Sequence, residues 1–232
     1  MSGFFITGTD TGVGKTFVTG ALMYALLKQG VSVAPMKPVA AGTIDIDGMA
    51  LNEDVALLMA LAGHPFPLHA VNPYCFREPI APHIAAAREG VEPDIGVIQT
   101  AYLELRTRAD VVLVEGAGGF LVPLSNSESM ALIPQALLLP VILVVGMRLG
   151  CINHALLTVE AITARGLTLA GWIANTPDQP MNAYAENLST LQRLIGAPLL
   201  GEIPCLRGQE LGSAIPAAAA GLDCAILNPT KE

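Results

Sequence analysis

Hydrophobic and polar residues form blocks along this chain, in which short continuous apolar runs are separated by longer stretches of helical periodicity. The continuous runs show no in/out alternation, which is typical of strands buried on both faces of a parallel sheet. They predict strands at residues 4–6, 31–36, 109–115, 140–145, 167–174 and 198–203. The periodic stretches predict helices at residues 17–27, 52–62, 95–106, 152–165 and 184–195.

This alternation of strand and helix predicts an α/β fold with one doubly wound, mainly parallel sheet and helices on both faces. No linker, internal repeat or low-complexity tract divides residues 1–232, so we expect a single domain. In such a sheet the ligand site lies at the carboxyl ends of the strands. Polar residues near those ends are therefore the candidates for function.

Three stretches have a less regular pattern. Residues 63–90 are rich in Pro and His and are predicted to form a long functional loop. Residues 130–146 are the longest apolar stretch, but Pro and Gln interrupt it, so it predicts a helix end followed by a strand rather than a membrane span. The alanine run at 217–220 is expected to be a frayed C-terminal element.

A glycine-rich run, Gly-Thr-Asp-Thr-Gly-Val-Gly-Lys-Thr at residues 8–16, joins the first predicted strand to the first predicted helix. Strand, glycine loop, Gly-Lys-Thr and helix form the context that a P-loop requires. Its N–H groups bind phosphate, Lys15 reaches the β- and γ-phosphates, and the Thr16 hydroxyl holds Mg²⁺. The loop is a variant, because Thr9 occupies the usual first glycine position and Gly8 lies one residue early. It predicts a nucleotide phosphate site, with a plain glycine turn as the alternative.

Three charged residues lie near predicted strand ends or helix starts. Glu115 ends the strand 109–115, where an acid beside a P-loop is the expected partner of Mg²⁺ and a turn-capping acid is the alternative. Asp54 lies in the first turn of a predicted helix, where it either joins the metal site or complements the helix dipole. Lys37 follows the strand 31–36 and is interpreted as a second cation over the transferring phosphoryl group or as a solvated loop lysine.

Further polar residues are candidates for contacts with the substrate or the nucleotide. Asp10 lies inside the loop and cannot bind phosphate, but it suits contact with a cationic group such as a substrate amine. Asn175 ends a predicted strand, where its amide either reads an adenine edge or forms a turn. Residues 150–154 open a helix whose free N–H groups offer a carboxylate site, although Asn153 could instead be a capping residue. His154 is interpreted as structural.

The composition narrows the possible partners. Of the 232 residues, 52% are hydrophobic and only 14% are charged, which indicates buried strands, a buried subunit interface, or both. The net charge of −8 and the thin spread of Lys and Arg argue against nonspecific nucleic-acid binding. No signal peptide is visible and the 4 cysteines lack metal-ligand spacing, so we expect a cytoplasmic protein with reduced thiols.

Seven sequence blocks together resemble the dethiobiotin synthetase family over nearly the whole chain. They are the loop at 8–16, Lys-Pro-Val-Ala-Ala-Gly at 37–42, Val-Asn-Pro-Tyr and Glu-Pro-Ile-Ala-Pro-His within 71–83, Val-Glu-Gly-Ala-Gly-Gly at 114–119, Leu-Gly-Cys-Ile-Asn-His at 149–154, Gly-Trp-Ile-Ala-Asn at 171–175 and Leu-Gly-Glu-Ile-Pro at 200–204. Each block is modest, but their order and spacing are specific. The resemblance implies a P-loop NTPase-type fold and an ATP- and Mg²⁺-dependent ligase of biotin biosynthesis.

The resemblance also implies a reaction. One amine of 7,8-diaminononanoate captures CO₂ as a carbamate, whose oxygen attacks the γ-phosphate of ATP to give a carbamic–phosphoric anhydride. The second amine then closes a cyclic urea and expels phosphate. By the same resemblance the enzyme is a homodimer, in which the helix start at 150–153 of one subunit takes the carboxylate of the substrate bound to the other.

Site residues follow from the resemblance position by position. Thr16, Asp54 and Glu115 are expected to hold Mg²⁺, and Lys15 and Lys37 to stabilise charge on the phosphoryl and carbamate oxygens. Thr11 and Asp10 are expected near the amine and carbamate. The other expected nucleotide contacts are Gly12, Val13, Gly14, Phe17, Gly116, Ala117, Gly118, Asn175, Thr176, Pro204, Cys205 and Leu206. The other expected substrate contacts are Ala41, Thr43, Pro79, Gly150, Cys151 and Asn153.

This chain departs from the family at a few positions. Ala41 stands where members usually have Ser or Thr, and we hypothesise that Thr43 compensates. Asn187 aligns with a Tyr that some members place near the substrate, and Cys205 with an aromatic residue beside the adenine. These changes are expected to affect affinity more than the type of reaction.

Two other classes share this kind of P-loop. Plasmid-partition and division-site ATPases, which are regulatory switches, place a signature lysine where this chain has Asp10, and they carry membrane or DNA-binding surfaces that the composition does not favour. Ligases of the cobyric-acid synthetase type normally add a glutamine-hydrolysing domain, for which this chain has no room. The regulatory ATPase is therefore the alternative function.

Overall fold

The computed structural model describes residues 2–46, 48–179 and 181–229. In chain order, its elements are β1 (Ser2–Gly8), α1 (Lys15–Lys28), β2 (Val33–Met36), β3 (Val39–Ala41), β4 (Ile44–Ile46), β5 (Met49–Leu51), α2 (Glu53–Leu61), α3 (Leu68–Val71), β6 (Tyr74–Phe76), α4 (Pro82–Arg88), α5 (Ile95–Arg106), β7 (Val111–Gly119), α6 (Leu132–Leu137), β8 (Val141–Gly146), α7 (Cys151–Thr163), β9 (Leu169–Asn175), α8 (Tyr184–Leu194), β10 (Leu199–Ile203), α9 (Leu211–Ala219) and a 3-10 helix (Ala225–Leu227).

The main sheet has six strands in the order β10-β9-β8-β1-β7-β2, and every neighbouring pair is parallel. Strand β1 lies between β7 and β8, with Phe5 paired to Val114 on one side and to Val141 on the other. The prediction of a doubly wound parallel sheet is therefore confirmed. Because the strands are parallel, the polar residues that follow β1, β2, β8 and β9 come out at the same edge.

Alternate residues of one strand enter two separate hydrophobic clusters, which shows that both faces of the sheet are covered. In β8, Ile142 and Val144 belong to the larger cluster, whereas Leu143 and Val145 belong to a smaller one. The smaller cluster also contains the only tryptophan, Trp172, which is fully buried. Continuous apolar runs in the sequence thus correspond to strands with helices on both sides.

The prediction of a long loop at 63–90 is wrong, because this stretch contains α3, β6 and α4. Strand β6 pairs in parallel with β3, while β4 and β5 form a separate antiparallel pair. Two of the prolines begin helices here, with Pro67 as the N-cap of α3 and Pro82 in the first turn of α4. Buried residues such as Phe76 attach the stretch to the main core.

The alanine run at 217–220 is not a frayed end, as the sequence analysis expected. Its first three residues finish α9, in which Ala218 is fully buried. Helix α9 packs against α1, where a Cβ added to Gly20 would lie 3.2 Å from Ile215 Cδ1. The apolar stretch at 130–146 forms α6 and β8, and no helix in the described part of the chain is long and apolar enough to cross a membrane.

Candidate functional site

The P-loop connects β1 to α1 and has the backbone of a phosphate-binding turn. Gly12 and Gly14 have φ angles of 72° and 85°, a region that side-chain-bearing residues rarely adopt. Gly14 is the N-cap of α1, and because it has no side chain, no side-chain hydrogen bond caps the first backbone N–H groups of this helix. The backbone N–H groups at this helix start thus have the arrangement that binds anions.

Asn175 holds the loop from the end of β9. Its Nδ2 donates a hydrogen bond of 2.7 Å to the carbonyl oxygen of Val13, and the residue is buried. A Cβ added to Gly14 would lie only 2.3 Å from the same nitrogen, so the amide packs directly against the loop. The interpretation of Asn175 as a turn-forming residue is therefore wrong. Its side chain also lines a cavity together with Phe17, Thr176, Pro204 and Leu206.

Next to the loop, four polar side chains form a connected group at the edge of the sheet. The Thr16 hydroxyl donates to Glu115 Oε1 at 2.7 Å. The Lys37 ammonium donates to the same Glu115 oxygen at 2.7 Å and to Asp54 Oδ2 at 2.5 Å. Glu115 is fully buried and Lys37 is 4% exposed, so Lys37 is not a solvated loop lysine.

The structure places Glu115 and Asp54 differently with respect to their sequence predictions. Strand β7 continues past Glu115 to Gly119, which pairs with Gly8, so Glu115 lies within a strand and does not cap a turn. Asp54 does lie in the first turn of α2, and it contacts Lys37 as well. The two readings of Asp54 are thus compatible with each other.

Two asparagines that sequence reasoning missed hold this group in position. Asn52 is the N-cap of α2, accepts from the backbone N–H of Asp54 at 3.1 Å and donates to the Gly42 carbonyl oxygen at 2.8 Å. Asn72 donates to the Lys37 carbonyl oxygen at 2.6 Å. An Asn before an acid at a predicted helix start is a capping signal that could have identified Asn52.

The two lysines of the site have pKa values shifted in opposite directions. Burial lowers the pKa of Lys15 to about 8, because its ammonium donates to the Asp10 carbonyl oxygen and not to a carboxylate. Burial also acts on Lys37, but the charges and hydrogen bonds of Glu115 and Asp54 outweigh it and raise the pKa of Lys37. For Asp54, the attraction of Lys37 outweighs burial and lowers the pKa. Lys37 and Asp54 are therefore ionised as a pair.

A cavity of about 670 Å³ opens above the loop and this polar group. Of the residues expected at the site, it brings together Thr11, Gly12, Gly14, Lys15, Thr16, Lys37, Ala41, Asp54, Pro79, Ala117 and Gly118. Residues that were not expected complete its wall: Ala40, Asn52, Ile80, Ala81, Pro82 and Val122. Thr43 does not line it, and the Thr43 backbone N–H donates to the Arg77 carbonyl oxygen.

A smaller cavity of about 310 Å³ adjoins the first at Gly14. It contains five of the expected nucleotide contacts besides Gly14: Phe17, Asn175, Thr176, Pro204 and Leu206. Cys205 is not among its lining residues, and residues 207–209 add to the wall. Val13 is buried behind the loop, and a Cβ on Gly116 would meet the Phe5 ring, so neither side chain position faces a cavity.

Asp10 contacts a cationic group, as its position suggested, but that group belongs to the protein. Arg148, in the connection between β8 and α7, places Nη2 2.5 Å from Asp10 Oδ2. Both side chains are nearly half exposed, at 44% and 47%. Sequence reasoning missed Arg148, which is 138 residues away along the chain.

The helix start at 150–153 lies outside both cavities. Gly150 is the N-cap of α7 with a φ of 96°, so the capping reading of Asn153 is wrong. Asn153 is exposed, whereas Cys151 is buried. Within one subunit these residues therefore do not reach the lysines of the site.

The oxygen atoms of the polar group fit a magnesium ion. Thr16, Asp54 and Glu115 supply a hydroxyl and two carboxylates, and Glu115 Oε2 is buried without a hydrogen-bond partner. Within the described residues no group of three or more His, Cys, Asp or Glu could hold a metal. The two carboxylates and the hydroxyl suit Mg²⁺, which usually binds one or two carboxylates together with substrate phosphates.

Comparison with known proteins gives a consistent result. A family model described as an AAA domain matches residues 2–210. The chain is 57% identical over 207 residues to the ATP-dependent dethiobiotin synthetase BioD of Aromatoleum aromaticum, covering 89% of this chain and 92% of that protein. It is 52% identical over 202 residues to the enzyme of the same name from Nitrosospira multiformis, covering 87% and 88%.

Solved structures of division proteins share the fold at low sequence identity. The MinC:MinD cell division protein complex of Aquifex aeolicus matches with a TM-score of 0.55 and 16% identity, over 95% of this chain and 94% of that one. The MinD cell division protein of the same organism gives 0.53 and 16%, over 97% and 89%. Whereas these likenesses concern the fold alone, the sequence identity is decisive: the chain belongs to the family of ATP-dependent dethiobiotin synthetases.

Proposed function

We propose that this protein is the ATP-dependent ligase that forms the cyclic urea of dethiobiotin from 7,8-diaminononanoate and CO₂. The observation that carries the proposal is the convergence of Lys15, Thr16, Lys37 and Asp54 on one cavity beside a P-loop. The buried Glu115 lies behind this wall and accepts hydrogen bonds from Thr16 and Lys37. Such a cavity suits a reaction in which negative charge develops on transferring oxygens. We also propose that residues 1–232 form one domain, of which residues 1, 47, 180 and 230–232 lie outside the described part.

The two adjoining cavities suit the two ends of ATP. The smaller one has apolar walls from Phe17, Pro204 and Leu206, with the buried Asn175 and Thr176 beside them, and is assigned to adenine. Gly14 belongs to both cavities, so a nucleotide seated in the smaller one would extend its phosphates past Gly14 towards Lys15. The Cys205 backbone would contribute to this side even though its side chain does not line the cavity.

Thr16, Asp54 and Glu115 are assigned as the residues that hold Mg²⁺. The ion would neutralise charge on the phosphate oxygens of the nucleotide. Gly12, Val13, Gly116, Ala117 and Gly118 complete the backbone around the phosphates, since glycine and alanine let the main chain approach an anion closely.

The chemistry proceeds in three balanced steps. One amine of the diamine attacks CO₂, forms a C–N bond and loses a proton to give a carbamate. A carbamate oxygen attacks the γ-phosphorus, and the bond to the bridging oxygen of ADP breaks. The second amine attacks the carbamate carbon, loses a proton and expels phosphate, which closes the cyclic urea.

Side chains in and beside the larger cavity are assigned to these steps. Lys15 and Lys37 stabilise the oxygens that gain negative charge. Thr11, which lines the cavity, and the adjacent Asp10, which does not, are assigned to the amine and the carbamate. Ala41 and Pro79 supply an apolar wall for the alkyl chain of the substrate. Because Thr43 lies outside this wall, we expect the hydrogen bond that other members make through Ser or Thr to be missing here.

A homodimer in the cytoplasm completes the proposal. The helix start at Gly150, Cys151 and Asn153 would receive the substrate carboxylate from the active site of the partner subunit. The neighbouring Leu149 is 93% exposed, which supports a contact surface on this side. A regulatory ATPase of the division-site type is the weaker alternative, since only the fold supports it.

Phosphate release tests the proposal directly. Purified protein should release phosphate from Mg-ATP only when both 7,8-diaminononanoate and bicarbonate are present, and dethiobiotin should appear in equal amount. Lys37→Ala should lower the turnover by at least about tenfold, because it removes a cation from the transition state. Equal hydrolysis without the diamine would favour the regulatory ATPase instead.

A further inference from the structure

The Lys37 ammonium contacts the same oxygen atoms that the proposed metal site would use. Its nitrogen lies 2.5 Å from Asp54 Oδ2 and 2.7 Å from Glu115 Oε1. The Thr16 hydroxyl donates to that Glu115 oxygen as well, at 2.7 Å. All three proposed metal ligands therefore point at one small region that the ammonium already reaches.

A metal ion and this ammonium cannot use these oxygens together. Mg²⁺ needs oxygen lone pairs at about 2.1 Å, in directions that the ammonium hydrogen bonds now take. The two cations would also repel each other at such short range. Binding of the ion thus requires the Lys37 side chain to move away.

The main chain of Lys37 is fixed, so only its side chain can make this movement. The Lys37 backbone N–H donates to the Val71 carbonyl oxygen at 2.7 Å, and its own carbonyl oxygen accepts from Asn72 at 2.6 Å. The side chain lines the larger cavity, into which its four-carbon stem can turn.

We propose that the Lys37 ammonium occupies the metal position of the nucleotide-free enzyme and exchanges with Mg²⁺ when the metal–nucleotide complex binds. The inference rests on the proposed ligase site and adds a regulatory step to it. Glu115, which is buried, and its neighbour Asp54 face the Lys37 ammonium before the exchange and Mg²⁺ after it. A cation therefore always compensates the buried charge. The released ammonium becomes available to the phosphoryl and carbamate oxygens only once the nucleotide is bound. Free Mg²⁺ alone binds weakly, because it must displace Lys37 without any gain from phosphates.

Binding of Mn²⁺, followed by electron paramagnetic resonance without nucleotide, tests the exchange. Lys37→Met should bind Mn²⁺ at least about tenfold more tightly than the wild type, because the competing cation is gone. Lys37→Arg keeps a cation and should bind as weakly as the wild type. Unchanged or weaker binding by a folded Lys37→Met protein would overturn the proposal.

Lys15→Met is the matched control for a general effect of net charge. It also removes one cation from the cavity, but Lys15 donates to the Asp10 carbonyl oxygen and not to the carboxylates. Its effect on Mn²⁺ binding should be smaller than that of Lys37→Met. An equal effect would show that long-range charge, and not occupation of the metal position, controls the affinity.

Thermal unfolding provides a second measurement in case Lys37→Met is unstable. Millimolar Mg²⁺ should raise the melting temperature of Lys37→Met by several degrees and leave the nucleotide-free wild type nearly unchanged. No rise in the variant, or an equal rise in both proteins, contradicts the exchange.

A separate variant distinguishes failure of the exchange from failure of the proposed metal site. Glu115→Gln should weaken Mn²⁺ binding in the presence of a non-hydrolysable ATP analogue. If it does so while Lys37→Met shows no tighter binding, the metal site stands and the exchange is refuted. If Glu115→Gln has no effect there, the metal assignment itself is wrong, and the exchange is refuted with it.

Discussion

Lys15 should take up a proton when a nucleotide binds, because burial lowers its pKa to about 8 in the free protein. Lys37 in the same cavity should not, since its two carboxylate partners raise its pKa and keep it charged. A phosphate beside Lys15 favours the charged form and so raises its pKa again. The uptake of protons therefore measures the protonation of Lys15, and Lys37 does not contribute to it.

The expected size of the uptake follows from the fraction of Lys15 that is neutral. With a pKa of about 8 in the free protein, about half of the molecules are neutral at pH 8, against roughly a tenth at pH 7. If Lys15 is fully charged in the complex, binding takes up about 0.5 proton at pH 8 and about 0.1 at pH 7. By the same linkage, nucleotide affinity should weaken about tenfold between pH 7 and pH 9.

Isothermal titration calorimetry in buffers of different ionisation enthalpy measures this uptake. ATP should be titrated with a chelator present, so that no divalent ion acts on Lys15 or its neighbours. Measurements at pH 8 and above avoid protonation of the nucleotide itself, since the second pKa of a phosphate monoester is about 6.

Lys15→Met is the control, because it removes the titrating group and should abolish the pH-dependent part of the uptake. An uptake near zero at pH 8 in the wild type would show that Lys15 is already charged when the site is empty. The reasoning would also be refuted if Lys15→Met took up as many protons as the wild type.

Three further substitutions test the geometry around the loop. Asn175→Ala leaves the Val13 carbonyl oxygen without its partner and should lower the free energy of unfolding by about 1–3 kcal/mol in denaturant titrations. Thr190→Ala is its control: it removes a surface hydrogen bond within α8 and should change that free energy by less than about 1 kcal/mol. Gly14→Ala should abolish nucleotide binding in calorimetry, because its Cβ would lie 2.3 Å from Asn175 Nδ2 at a φ of 85°. Arg148→Met should change the free energy of unfolding by less than about 1 kcal/mol, since the ion pair it removes is exposed. It should also lower the KM for the diamine by up to about fivefold, because Asp10 becomes free to contact the substrate amine. A raised KM would contradict this role of Asp10.

Local patterns were sufficient to predict the main sheet and to single out polar residues that lie together at its edge. Lys15 and Thr16 lie in a contiguous motif, and Glu115 ends an apolar run, so each has a signal in its immediate neighbourhood. The parallel pairing of β2 with β7 then places Lys37, directly after β2, next to Glu115 in β7, which explains why they are in contact although 78 residues separate them.

Residues that act through long-range contacts had no such signal. Asn72 supports Lys37 from 35 residues away, within a stretch whose prolines indicated a loop. Two of those prolines, Pro67 and Pro82, start short helices, a use that composition alone does not distinguish from chain breaking. Arg148 likewise looks like an ordinary surface arginine until the fold brings it to Asp10.

The early glycine of the P-loop shows most clearly what the motif alone could not explain. Gly8 has no left-handed backbone, but a Cβ there would lie 2.6 Å from Val13 Cγ2. A Cβ on Gly146, at the end of β8, would lie 2.7 Å from the other methyl of Val13. The two glycines thus form a slot for the Val13 side chain.

The threonine at the usual glycine position connects the loop to β8. Thr9 belongs to the connection with β8, since its N–H donates to the Val144 carbonyl oxygen at 3.0 Å and its hydroxyl accepts from the Gly146 N–H at 3.4 Å. The P-loop is therefore attached on its β8 side by Thr9 and by the packing of Val13. Because only residues 147–149 separate β8 from the helix start at Gly150, a shift of that helix would act on the loop through the same contacts.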